Sequence, residues 1–129
     1  SWIIGHLALQ EDTYWNYLGQ GEAVHPELRD LVGYGKPAST PPFGEMRSAW
    51  ETITDKADEF LTTLEHDRLY EHYIRRGEPL PENIGTMLRR NIYHYWFHTG
   101  EAHAIRQILG HGELPDFVGD MTGYEYLKD

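Results

Sequence analysis

Asn91-Ile92-Tyr93-His94-Tyr95-Trp96-Phe97-His98-Thr99-Gly100-Glu101 is the stretch on which the reading of this chain turns. Residues four apart on an α-helix stand about 40° apart around its axis, so His94 and His98 leave the same face. One helix presents two nitrogen ligands to one divalent metal in this way. Winding outward at about 100° per residue puts Met87, Asn91, His94, His98, Ile105 and Leu109 on one stripe. The spacing predicts a long helix from Glu82 to Leu109, stopped by Gly110, with both imidazoles directed into an apolar face. His103 follows His98 by five residues, roughly 140° away, and belongs to another face.

Two further long helices are expected. From Trp2 to Leu18, Ile3, Leu7, Tyr14 and Leu18 recur at helical spacing, His6 flanks the stripe, and Gly19 and Gly21 end it. After Pro41-Pro42, Met46, Trp50, Ile53, Ala57, Phe60, Leu61 and Leu64 recur at steps of three and four. Between these helices lies a Gly- and Pro-rich connection holding Pro26-Glu-Leu-Arg-Asp-Leu-Val-Gly33. It reads as a short helix with Pro at its first position and Gly just past its end. The segment from His66 to Pro81 is ambiguous between a short helix and an extended link. No segment sustains period-two alternation, so no strand is expected. The fold class is all-α, an antiparallel up-down helix bundle formed by a single domain spanning residues 1–129.

Composition narrows the function classes. The chain has 129 residues, 40% of them hydrophobic, enough for a core of its own. Its formal net charge of -10 repels nucleic acid and anionic membrane, and Arg75-Arg76 and Arg89-Arg90 are too short to reverse that. No apolar run is long enough to span a bilayer, and no signal-peptide pattern opens the chain. There is no cysteine, which removes disulfides, thiolate metal sites and cysteine nucleophiles. Any metal must take nitrogen and oxygen ligands, which suits zinc, nickel, iron or manganese rather than copper(I). These features favour the cytoplasm. No Gly-rich phosphate loop is present, and Ser1, Ser39 and Ser48 have no adjacent base to form a hydrolase triad.

Two stretches carry a family resemblance. Ser1-Trp-Ile-Ile-Gly-His-Leu-Ala-Leu-Gln-Glu11 looks like the start of the second helix of the DinB-like superfamily. His94-Tyr-Trp-Phe-His-Thr-Gly-Glu101 resembles that family's last long helix. Arg106-Gln-Ile-Leu-Gly-His111 and Leu114-Pro-Asp-Phe-Val-Gly119 resemble its C-terminal region. The resemblance implies a four-helix bundle with a three-histidine metal site, whose ligands here would be His6, His94 and His98. It also implies either a metal-dependent transferase using a low-molecular-weight thiol, such as bacillithiol or mycothiol, or a metal-dependent hydrolase. By that likeness the family's first helix is missing from this chain. Either it lies outside this sequence or another subunit completes the bundle, and the apolar groove left by a three-helix remnant favours a homodimer.

Several residues carry two readings. A single histidine on an apolar helix face is more often a hydrogen-bonded core residue than a ligand. Two unliganded imidazoles side by side in apolar surroundings, however, face desolvation and mutual repulsion on protonation, which a metal removes by binding the neutral rings. Three protein nitrogens leave a position for water or a small-molecule substrate, as in catalytic zinc sites. Glu101 either orients a ligand or is a solvated carboxylate, and Glu11 is expected at the surface. Tyr93, Tyr95, Trp96 and Phe97 read as packing or subunit-contact residues before pocket walls. His25, His66, His72 and His111 read as exposed polar residues. The alternative to an enzyme is a non-catalytic helical module for dimerisation or partner binding.

Overall fold

The computed structural model describes residues 1–116 and 119–123. Phe117 and Val118, on which part of the C-terminal resemblance rests, lie outside the described residues. The chain divides into two compact units, Ser1–Tyr95 and the part from Trp96 onward. The division falls inside a helix that is itself continuous across it.

Three long helices dominate, as expected. Helix α1 (Trp2–Glu11) runs without a break into a π-helix at Asp12–Leu18. A short α2 (Leu28–Val32) follows the turn at Pro26, with Gly33 just beyond its end. Helix α3 (Phe43–Leu61) starts directly after Pro42 and buries Met46, Ala49, Ile53, Ala57 and Phe60, the stripe expected of an amphipathic helix. Trp50 and Leu61 are half-buried beside it, and Leu64 lies past its end. Helix α4 (Ile84–Ile108) begins at Asn83, whose Oδ1 accepts the Thr86 N–H at 2.8 Å as an N-terminal cap does. It ends in a Schellman motif. Gly110 adopts φ 72°, its N–H donates to the Gln107 carbonyl, and the His111 N–H donates to that of Arg106.

Helices α1 and α3 run side by side in the same direction. Gly5 lies against Met46, Asn16 donates to the Ile53 carbonyl, and Gln20 donates to that of Lys56. The approach near Gly5 is tight: a Cβ there would stand 2.5 Å from the Met46 sulfur. The long 21–42 connection carries the chain back along the bundle to allow this parallel pair. Up-down alternation therefore describes α3 and α4, and not α1 and α3. Helix α4 runs opposite to α1, since Asn91 meets Glu11 and His94 meets His6.

Strands are the departure from the all-helical expectation. β1 (His72–Arg75) and β2 (Glu78–Asn83) form an antiparallel hairpin with Ile74 opposite Pro79 and Arg75 opposite Glu78. A 3₁₀ turn at His66–Tyr70 precedes it. Arg76 and Gly77 have φ of 56° and 85°, the paired left-handed residues of a type I′ turn. Four- and six-residue strands, the second holding two prolines, are too short and too broken to show alternation in sequence. In a two-stranded ribbon each strand has one edge without a neighbour, so a proline nitrogen can face outward from the ladder.

Two apolar clusters fill the first unit. Ala8, Leu28, Val32, Met46, Ala49 and Ile53 form one, with Trp2 and Trp50 packed against it. Trp15, Ala57, Phe60, Tyr73, Ile84 and Met87 form the other. The buried face of the first helix is not the predicted one: Leu7 is buried, but Ile3, Tyr14 and Leu18 are only half-buried. Gly5, Ala8, Glu11, Asp12, Trp15 and Asn16 fill the interior instead. On α4, Met87 and Asn91 follow the predicted stripe, whereas Ile105 and Leu109 are exposed. No helix among the described residues is long and apolar enough to cross a membrane.

Candidate metal centre

His6 sits on the second turn of α1, and His94 and His98 sit one turn apart on α4. One ring nitrogen from each of the three lies within 4.8 Å of the others. The His6 and His94 rings meet edge to face at a centroid distance of 4.9 Å. His98 is buried, and His6 and His94 are half-buried. The three residues to which the resemblance pointed are thus brought together. His25, His66, His72, His103 and His111 stand outside the cluster. His25 is half-buried with its Nδ1 on Glu27 at 2.8 Å, and His66, His72 and His111 are exposed.

Second contacts orient two of the rings. His6 Nδ1 lies 2.9 Å from the Val32 carbonyl oxygen, which can only accept, so Nδ1 carries the proton and Nε2 keeps its lone pair. His98 Nδ1 lies 2.7 Å from Glu101 Oε2, an acceptor when ionised, and the same logic places the proton on Nδ1. Backbone carbonyls and carboxylates are the usual partners of metal-ligating histidines, because they set the tautomer and raise ring basicity. Glu101 contacts His98 and is also exposed to solvent, so features of both its readings are present. Trp2 stacks on His6 with ring centroids 4.5 Å apart and planes inclined by 15°, giving that imidazole an apolar flank.

These residues fit a divalent cation. At zinc–nitrogen distances of about 2.0–2.1 Å, tetrahedral ligand nitrogens stand about 3.3 Å apart, a separation inside the 4.8 Å that bounds the three here. The donor set is all nitrogen, as the absence of cysteine requires.

Beneath the histidines a buried polar network joins α1 to α4. Asn91 Nδ2 donates to Glu11 Oε1 at 2.8 Å, and Gln10 Nε2 donates to Asn91 Oδ1 at 3.2 Å. Trp50 Nε1 donates to the Tyr95 hydroxyl at 2.8 Å, tying α3 to the same level. Glu11 is therefore interior, not at the surface as its sequence position suggested. Burial pushes its carboxyl above the usual range, and hydrogen bonds from Asn91 and Tyr95 offset part of that. The residue that holds His6, Val32, acts through its backbone carbonyl, which no side-chain pattern can reveal. Glu11 escaped notice because polar residues are invisible to a search for apolar periodicity.

Tyr93, Trp96 and Phe97 are exposed, while Tyr95 is half-buried and bonded to Trp50. Tyr95 is thus directed into the helix packing of the first unit.

No curated protein and no solved structure matches the chain. A family model described as the DinB superfamily matches residues 1–102, a span that holds His6, His94, His98 and Glu101. With that match over most of its length, the chain belongs to the DinB superfamily.

Proposed function

We propose that His6, His94 and His98 together hold one divalent cation (zinc, nickel, iron or manganese) and that this centre is enzymatic, of thiol S-transferase or hydrolase type. The observation that supports it is the convergence of three imidazoles, two of which have Nδ1 held by an oxygen acceptor. A cation held there supplies Lewis acidity, lowering the pKa of a water or thiol brought to it. The chain's own residues do the rest. Val32 and Glu101 fix the ring orientations, Trp2 shields His6 from water, and three ligands leave a position for substrate. Glu101 is 46% exposed through its side chain, so it both holds the His98 Nδ1 proton and communicates with solvent.

Metal analysis tests the first part. The protein reloaded with zinc or cobalt(II) should retain about one equivalent, lost in His94→Ala and His98→Ala, with affinity falling below about pH 6 as imidazoles protonate. Retention of no metal would end the reading. The cysteine-free sequence allows a clean test of the second part. Any sulfur-to-cobalt charge-transfer band in the cobalt-loaded protein must come from added thiol. A band on adding N-acetylcysteine favours the transferase reading, and its absence favours the hydrolase.

A second reading, association through α4, is favoured by one observation. Ile92, Tyr93, Trp96 and Phe97 form an exposed apolar strip at i, i+1, i+4 and i+5, between 42% and 68% exposed. A homodimer covering that strip is compatible with the metal centre. Sedimentation of the intact chain as a monomer at micromolar concentration would count against it.

A further inference from the structure

Apart from the histidine cluster and sharing no residue with it, the first unit holds a cleft of about 350 Å³ between the π-helix, the loop leading to α2, and β1. That volume is within the range of small-molecule sites, about 300–1,000 Å³. Arg29 of α2 and Arg75 of β1 both line it. Neither forms a salt bridge among the described residues, although the chain has 21 acidic side chains against 11 basic ones. The nearby carboxylates are engaged elsewhere. Glu27 pairs with His25, Asp30 pairs with Lys36, and the buried Asp12 accepts the backbone N–H groups of Val24 and His25. Two arginines lining one concavity, neither of them ion-paired, are a strong donor set for an oxyanion, since each guanidinium can grip two oxygens at once. The remaining wall is Asp12, whose two oxygens are taken by the backbone N–H groups of Val24 and His25, with Thr13, Ala23 and the apolar surface of Leu9, Pro26 and the Tyr17 ring.

The backbone at this place is itself unusual. Thr13 and Tyr17, both lining the cleft, lie in the seven-residue π-helix. Such segments, with i→i+5 bonding, are rare, and they recur at functional sites. Here that stretch forms one wall of the cleft.

We propose that this cleft binds a small organic anion, one whose oxyanion is gripped by Arg29 and Arg75 and whose short apolar body rests on Leu9, Pro26 and Tyr17. The site stands independently of the metal centre. The test is calorimetric titration of the full chain with phenyl phosphate, benzoate and the uncharged benzyl alcohol. At least one of the two anions should bind saturably with Kd of about 1 mM or tighter, and benzyl alcohol should not. Arg29→Gln and Arg75→Gln should each weaken that binding by tenfold or more, whereas Arg89→Gln, outside the cleft, leaves it unchanged. Preference for phenyl phosphate assigns a phosphate monoester, and preference for benzoate assigns a carboxylate. His94→Ala should bind the anion as the parent does, so loss of metal and loss of anion are read separately. Both arginines are exposed, and unchanged helical circular dichroism will show that each variant is folded. The proposal is overturned if neither anion binds, or if binding survives undiminished in both arginine variants.

Discussion

Replacing Asp12 by Asn changes one atom and should destabilise the protein by about 2–3 kcal/mol. Asp12 is 1% exposed and accepts three hydrogen bonds. Val24 N–H reaches Oδ1 at 2.8 Å, Asn16 Nδ2 reaches the same oxygen at 3.0 Å, and His25 N–H reaches Oδ2 at 2.9 Å. In the Asn variant one oxygen keeps its partners, but an amide NH₂ then faces either His25 N–H or the pair from Val24 and Asn16. A lost bond to a charged acceptor costs about 1.5–3 kcal/mol, and the bonds that remain weaken toward the neutral value of about 1 kcal/mol. Relief from burying a charge returns part of this. Asp12→Ala strands all three donors and should cost more, about 3–5 kcal/mol. Either loss is large against a total stability of about 5–15 kcal/mol. Urea unfolding followed by circular dichroism at 222 nm measures both. There is a functional consequence as well. Val24 and His25 lead into α2, whose Val32 carbonyl holds His6, so metal affinity should drop alongside stability. An Asn variant within about 0.5 kcal/mol of the parent, the range of ordinary surface substitutions, would refute the account of Asp12 as the tether of this connection.

Glu101→Gln should weaken metal binding by about 10- to 100-fold through the His98 ring. It should leave the melting temperature of the metal-free protein nearly unchanged, since Glu101 is substantially exposed; equal affinity in parent and variant contradicts this. For Glu11, burial raises the folded-state carboxyl above its ordinary value of 4.5, so the folded protein holds that proton more firmly than the unfolded chain. Its contribution is full below that ordinary value and is lost as pH rises through the folded value. Glu11→Gln should therefore gain stability relative to the parent between pH 4 and pH 8. A stability difference that stays flat over that interval would remove the argument. Arg76 holds φ 56° in the hairpin turn, where Asn is tolerated far better than a long side chain. Arg76→Asn should stabilise by a fraction of the roughly 1–2 kcal/mol that the left-handed conformation costs an ordinary residue, and a fall in melting temperature would show that the turn is not under this strain.

The long helices were legible because their apolar positions repeat at 3.6 residues, and that repeat is a local property of the chain. Met46 through Phe60 announces α3 in this way, and Gly110 and the prolines before α3 mark ends through backbone conformation alone. The His94/His98 pair was legible for the same reason: a fixed helical pitch turns a spacing of four into a shared face. The resemblance to the family adds His6, which no local rule could have joined to the pair, and the structure brings it beside them.

What required the tertiary structure is whatever depends on contact between segments distant in sequence. The parallel course of α1 and α3 follows from the route of the 21–42 connection, which has no periodicity to read. The hairpin exists because two short extended runs find each other, although neither alternates enough to signal a strand. Glu11, Asp12 and Asn16 are interior because partners 12 to 80 residues away satisfy them, and a polar residue reads as surface until its partner is known. Arg29 and Arg75 meet at one cleft although 46 positions separate them in the chain. Local pitch determines which side chains share a face. Only the packing of faces decides which distant groups desolvate one another, and burial and hydrogen-bond partners at this centre are set there.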